Sequence, residues 1–129
     1  MKPVAAIALA AALPTMAATT PPARAEQLVV RCFFDWVCDP NRKCVDAGED
    51  VRFRVDTEAQ TVSRIGGNDL STFELLIGDR ALSVLEKPIS GGTVTTTFLL
   101  DSGSAVHSEN LITGRDLTPR QFLGECNAL

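Results

Sequence analysis

The sequence predicts a small all-β domain, an antiparallel β-barrel or sandwich of about seven or eight strands. The domain follows a cleaved signal peptide and is stapled by two disulfides. Three observations lead there. Short apolar/polar alternations recur at roughly 8–12-residue spacing, with turn residues between them. No sustained 3.6-residue apolar period follows the first 25 residues. Four cysteines, an even number, sit in a short chain whose start reads as an export signal.

The signal comes first. Lys2 precedes the ten-residue apolar run VAAIALAAAL (4–13), Pro14 ends it, and Ala23-Arg24-Ala25 offers the small-x-small pattern of a cleavage site. Ten apolar residues are too few to span a bilayer, which takes about 20. Cleavage after Ala25 leaves 104 residues as a single domain over 26–129. Lys2 and Arg24 leave with the signal and no acid does, so the net charge moves from −4 to −6. Glu26, not a cysteine, takes the first mature position, so no lipid attachment is expected. A periplasmic or secreted protein follows, with no membrane insertion after cleavage.

In the first strand Leu28, Val30, Cys32, Phe34, Trp36 and Cys38 fall on alternate positions and predict the inward face. Arg31, Phe33, Asp35 and Val37 take the outward one. The turn-rich 39–43 follows. Val51, Phe53 and Val55 then alternate with Arg52, Arg54 and Asp56. A turn at 57–60 leads to a weaker strand over 61–65, and Gly66-Gly67-Asn68-Asp69 breaks the chain again. Phe73, Leu75 and Ile77 share a face of the stretch 70–77, and Gly78-Asp79 closes it. The stretch 81–86 is brief, and 93–100 (TVTTTFLL) has the highest β-propensity in the chain. Asp101-Ser102-Gly103-Ser104 reads as a hairpin turn into a strand over 105–112. Thr113-Gly114-Arg115-Asp116 turns once more. In the final stretch Phe122, Gly124 and Cys126 share one parity, while Thr118-Pro119 leaves a short helical turn open over 118–123.

Cysteine spacing favours disulfides over a metal site. Cys32, Cys38 and Cys44 lie six apart and Cys126 another 82 residues on, without the short C-x₂₋₄-C spacing and histidine partners of a zinc site. On an unbroken strand Cys32 and Cys38 would be about 20 Å apart, and a disulfide tolerates only about 7 Å between Cα atoms. The turn between Cys38 and Cys44 favours a Cys38–Cys44 clasp with Cys32–Cys126 tying the first strand to the last. The pairing Cys32–Cys44 with Cys38–Cys126 stays open.

Charge and composition remove several functions. A net acidic chain lacks the basic face of a nucleic-acid binder. The single histidine, His107, is flanked by Ser108, but neighbouring strand residues point to opposite faces and cannot act as base and nucleophile. No G-x-S-x-G elbow, phosphate loop or dinucleotide fingerprint is present. Asp39, Asp46, Glu49 and Asp50 cluster near the clasp without calcium-loop spacing. No catalytic residue, metal site or cofactor is expected.

Binding is the remaining class. Phe33 and Val37, on the outward parity of the first strand beside Arg31 and Asp35, are candidate partner contacts, since charge-rimmed exposed aromatics anchor interfaces. An acidic surface steers toward a cationic protein partner. Ser102-Gly103-Ser104-Ala105, the export signal and cysteines near both ends of the mature domain resemble the small periplasmic C-type lysozyme inhibitors. In that family an eight-stranded barrel inserts a Ser-Gly-x-x-Tyr segment into the lysozyme cleft. Val106 stands at the tyrosine position, and the Phe-Trp-x-Lys-Gly segment has no counterpart, Trp36 lying in the first strand. The resemblance implies a barrel and adds Ser102 and Gly103 as candidate contacts. The expected function is therefore non-catalytic binding in the cell envelope, with inhibition of a secreted hydrolase such as lysozyme as the alternative.

Overall fold

A computed structural model describes residues 17–20, 27–67 and 70–129. The segment expected to be a signal lies outside them except for 17–20, as do the expected cleavage site after Ala25 and the turn residues Asn68 and Asp69. Eight strands run in chain order: β1 (Leu28–Cys38), β2 (Cys44–Asp56), β3 (Thr61–Arg64), β4 (Ser71–Ile77), β5 (Ala81–Pro88), β6 (Thr93–Leu99), β7 (Ser104–Thr113) and β8 (Asp116–Ala128). All pairings are antiparallel, in the order β3-β2-β1-β8-β7-β6-β5-β4. The edge strands β3 and β4 lie against each other, so the sheet forms a nearly closed barrel. Arg64 on β3 reaches Glu86 on β5 across the seam (3.5 Å) and Glu49 on the neighbouring β2 (3.9 Å). The barrel, rather than the sandwich, is the observed architecture.

The start of β1, the end of β8 and the turns at 57–60, 78–80 and 100–103 form one end of the barrel, termed lower. The 39–43 loop and the turns at 89–92 and 114–115 lie at the upper end. Alternation places Val30, Cys32, Phe34, Val51, Phe53, Val55, Leu82, Val84, Phe98 and Phe122 in the core. Ile77, expected inward with Phe73 and Leu75, is exposed at the lower rim, where its strand ends. Asp56, expected on the polar face, is buried because its Oδ1 accepts the Ala59 backbone N–H at 2.7 Å and closes the 57–60 turn.

Both favoured disulfides are present, each between directly opposed residues. Cys32–Cys126 joins β1 to β8 and Cys38–Cys44 joins β1 to β2, with Cα–Cα distances of 3.9 and 4.0 Å. The stretch 118–123 is strand, not a helical turn. Its Pro119 is tolerated because β1 ends opposite Gln121, so no ladder on that side needs the missing N–H.

The parity of β1 changes midway. Phe34 pairs with Gly124 and Trp36 with Leu123, consecutive residues of β8, so Asp35 is an extra residue in β1. A one-residue shift exchanges the two faces of a strand. Trp36, expected inward, is therefore 49% exposed, while Val37, expected outward, packs against the core. Gly124 permits the bulge, because a Cβ there would collide with the Phe33 carbonyl oxygen and the Phe34 Cα.

Candidate functional site: the lower end of the barrel

Three of the four predicted contact residues meet at the lower end. The β6–β7 turn carries exposed Ser102, whose Oγ accepts the Ser104 N–H at 3.3 Å. Gly103 adopts φ +74°, a conformation that side chains disfavour. Its N–H donates to Leu99 O (2.9 Å) and its carbonyl accepts from Cys126 N–H (2.7 Å). The turn is thus tied to β8 beside the Cys32–Cys126 disulfide. It borders a cavity of about 300 Å³ whose walls include core residues Val30, Leu82 and Phe98 and rim residues Leu28 and Leu100.

Around the corner, Phe33 is 41% exposed and lines a shallow depression with Arg31, Glu125, Asn127 and Leu129. Asn127 lines both hollows, joining the Phe33 surface to the Ser102–Gly103 turn. Leu28, Leu99, Leu100 and Leu129 are exposed around them. Val37 has no place here, because the bulge turns it into the core.

The rim is charged. Arg31 Nη2 and Nε donate to Asp50 Oδ2 at 2.6 and 3.0 Å, and Arg52 lies 3.6 Å from the same carboxylate. The Arg31 hydrogen bond holds the Asp50 carboxyl below its usual value, and Asp50 in turn raises the Arg31 guanidinium. Of the acidic cluster near the clasp, Asp50, Glu49 and Asp39 each have a partner. Glu49 faces Arg64, and Asp39 accepts the Lys43 backbone N–H at 3.0 Å. Among the described residues no three His, Cys, Asp or Glu side chains converge to hold a metal ion.

Sequence reasoning missed a relay inside the barrel. His107 is 1% exposed and packed between Phe34 and Phe122, with ring centroids 5.3 and 5.5 Å away. Its Nδ1 lies 2.7 Å from Thr96 Oγ1 and its Nε2 lies 3.4 Å from Glu109 Oε1. Arg120 completes the line, 2.7 Å from Glu109 Oε2 with its guanidinium over the Phe122 ring. A proton on Nε2 facing the carboxylate leaves Nδ1 to accept the Thr96 hydroxyl. The hydrogen bond to His107, with Arg120 nearby, holds Glu109 below its usual carboxylate value. The order hydroxyl–imidazole–carboxylate resembles a nucleophilic triad. Here, however, Thr96 is 1% exposed and no substrate can reach its oxygen. The relay instead satisfies the polar groups that sit above the apolar core. Glu109 was legible as the second residue along from His107 on the same strand face; Thr96 needed the β6–β7 register.

The two disulfides are consistent with an oxidising extracellular or periplasmic location. No known protein family, characterised protein or solved structure matches the chain.

Proposed function

We propose that the chain is a non-catalytic binding domain, exported to the periplasm or beyond, that docks a protein partner through its lower end. The single observation behind this reading is an apolar cluster around a preformed hollow. Phe33, Leu28, Leu99, Leu100 and Leu129 are exposed together there, with charged side chains at the rim. Exposed apolar patches rimmed by polar groups mark interaction surfaces. The net charge, −4 for the whole chain and −6 without residues 1–25, favours a partner with a cationic face. Immobilised wild-type protein and the double variant F33S/L100S are compared in a periplasmic extract. A partner retained by the wild type and released by the variant supports the proposal, whereas equal retention or none ends it.

A second reading, inhibition of a secreted hydrolase such as lysozyme, is favoured by the turn itself. Ser102 and Gly103 are presented at the surface on a backbone held by two hydrogen bonds and a neighbouring disulfide. Such preorganisation lowers the entropic cost of inserting a turn into a cleft. A lysozyme lysis assay tests it: no inhibition at micromolar protein removes this reading and leaves the first standing.

A further inference from the structure

The outer face above this end carries a different chemistry. The strand register aligns Trp36, Leu123, Val106, Thr97 and Ser83 in one outward row, and Cys38, Gln121, Ser108, Thr95 and Leu85 in the next. Neither row contains an Asp, Glu, Lys, Arg or His, although charged residues make up 22% of the chain. At about 4.8 Å between strands, the rows extend roughly 19 Å from β1 to β5. The first row runs from the apolar Trp36, Leu123 and Val106 to a Ser83–Thr97 hydroxyl pair at 2.7 Å, and the second holds the neutral hydrogen-bonding groups of Gln121, Ser108 and Thr95 between Cys38 and Leu85.

The upper row runs into a hollow of about 330 Å³ between the 39–43 loop and the β7–β8 hairpin, where Gln121, Ser108 and Asn110 form part of the lining. Its charged lining residues cancel: Asp39 and Glu109 against Arg42 and Arg120. Glu109 and Arg120 are already paired, and Asp39 is bound to the Lys43 backbone. Beside this neutral hollow, Trp36 is 49% exposed, unusual for the residue with the most apolar surface to bury.

We infer that this face binds an uncharged saccharide chain, with Trp36 as the stacking platform and Gln121, Ser108 and Asn110 as hydrogen-bonding partners. A pyranose ring presents a C–H face that stacks on an indole, and a rim of hydroxyls that bond to amides and hydroxyls. In the hollow a cationic or anionic ligand would find no net countercharge. A lipid chain would meet the amide and hydroxyls of Gln121, Ser108 and Thr95, while Asp46, paired opposite Trp36 on β2, adds an acceptor for sugar hydroxyls beside the platform. The site lies on the side and upper end of the barrel, separate from the protein-docking surface proposed for the lower end.

Trp36 is the only tryptophan, so its emission reports occupancy directly. The full-length exported protein is titrated with chitohexaose, cellohexaose and maltohexaose, and with polygalacturonate and polylysine as charged controls. The inference expects a saturable change in emission with at least one neutral hexasaccharide, little affected by salt. It further expects binding to be at least tenfold weaker in Q121A and to be lost in W36A, the latter followed by calorimetry. Thermal melts matching the wild type confirm that both variants are folded, and F33S/L100S should bind as wild type does. Silence with all three neutral probes overturns the inference. So does binding confined to the charged, salt-sensitive controls, or binding that survives in W36A and Q121A but is lost in F33S/L100S.

Discussion

At the scale of the residue, His107 shows how a β-barrel accommodates one polar core side chain. Thr96 and Glu109 occupy its two ring nitrogens, and Phe34 and Phe122 pack against the ring, the first tilted and the second T-shaped. Leaving either nitrogen unpaired in the core would cost about 1–3 kcal/mol. Glu109 also links stability to pH. Its carboxyl is held below the usual 4.5, mainly by the hydrogen bond from His107. A carboxyl with a depressed folded pKa stabilises the fold above its unfolded value and loses that contribution as pH falls through the folded value. E109Q should therefore be less stable than the wild type near neutrality, by about 1 kcal/mol given its partial exposure. The gap should close as the pH drops below 4.5. Urea unfolding of both proteins across that range measures it. Asp50 shares the direction of shift but is present in both proteins, so it cancels in the comparison. A gap that stays constant with pH would refute the assignment.

At the scale of the element, the bulge in β1 decides which aromatic side chains face outward. Phe33 and Trp36 both reach the surface because Asp35 adds a residue opposite β8. Strict alternation would have buried Trp36 and exposed Val37. The arrangement depends on Gly124, whose backbone lies against the Phe33 carbonyl and the Phe34 Cα. G124A should destabilise the domain by about 3 kcal/mol, in the range of overpacking in a well-packed core. The shift of the denaturation midpoint, followed by Trp36 fluorescence, measures this. A cost under about 0.5 kcal/mol, the scale of an ordinary surface substitution, would show that the close approach relaxes freely. The strands themselves were legible from alternation and turn residues. The bulge was not, because Asp35 is polar and sits equally well on the outer face of a regular strand.

At the scale of the whole molecule, the two disulfides have unequal work. Cys32–Cys126 spans 94 residues and joins the first strand to the last, whereas Cys38–Cys44 spans six and clips one hairpin. Chain-entropy reasoning assigns about 4.7 kcal/mol to the long link and about 2.2 kcal/mol to the short one. The paired variant C32A/C126A should thus lose about 2.5 kcal/mol more than C38A/C44A, before any cavity cost in the core. Equilibrium urea denaturation of both variants tests the ranking, and an equal loss would place the stabilisation in native packing. Arg64, reaching from the seam to Glu49 and Glu86, adds a tie between the strands flanking the two edges of the sheet.

Taken alone, the sequence determined the all-β class, the strand positions, both disulfide partners as the favoured pairing and the inward set of Phe34, Phe53 and Phe122. These follow from side-chain parity, turn chemistry and the reach of a disulfide, all of which act over a few residues or fix a distance limit. Tertiary structure decided the barrel over the sandwich, the outward turn of Trp36, the meeting of Phe33 with Ser102 and Gly103, and the pairing of Thr96 with His107. Each of those depends on the register between strands distant in sequence. Register is set by how the strands pack together and where a bulge interrupts them, which no local pattern records.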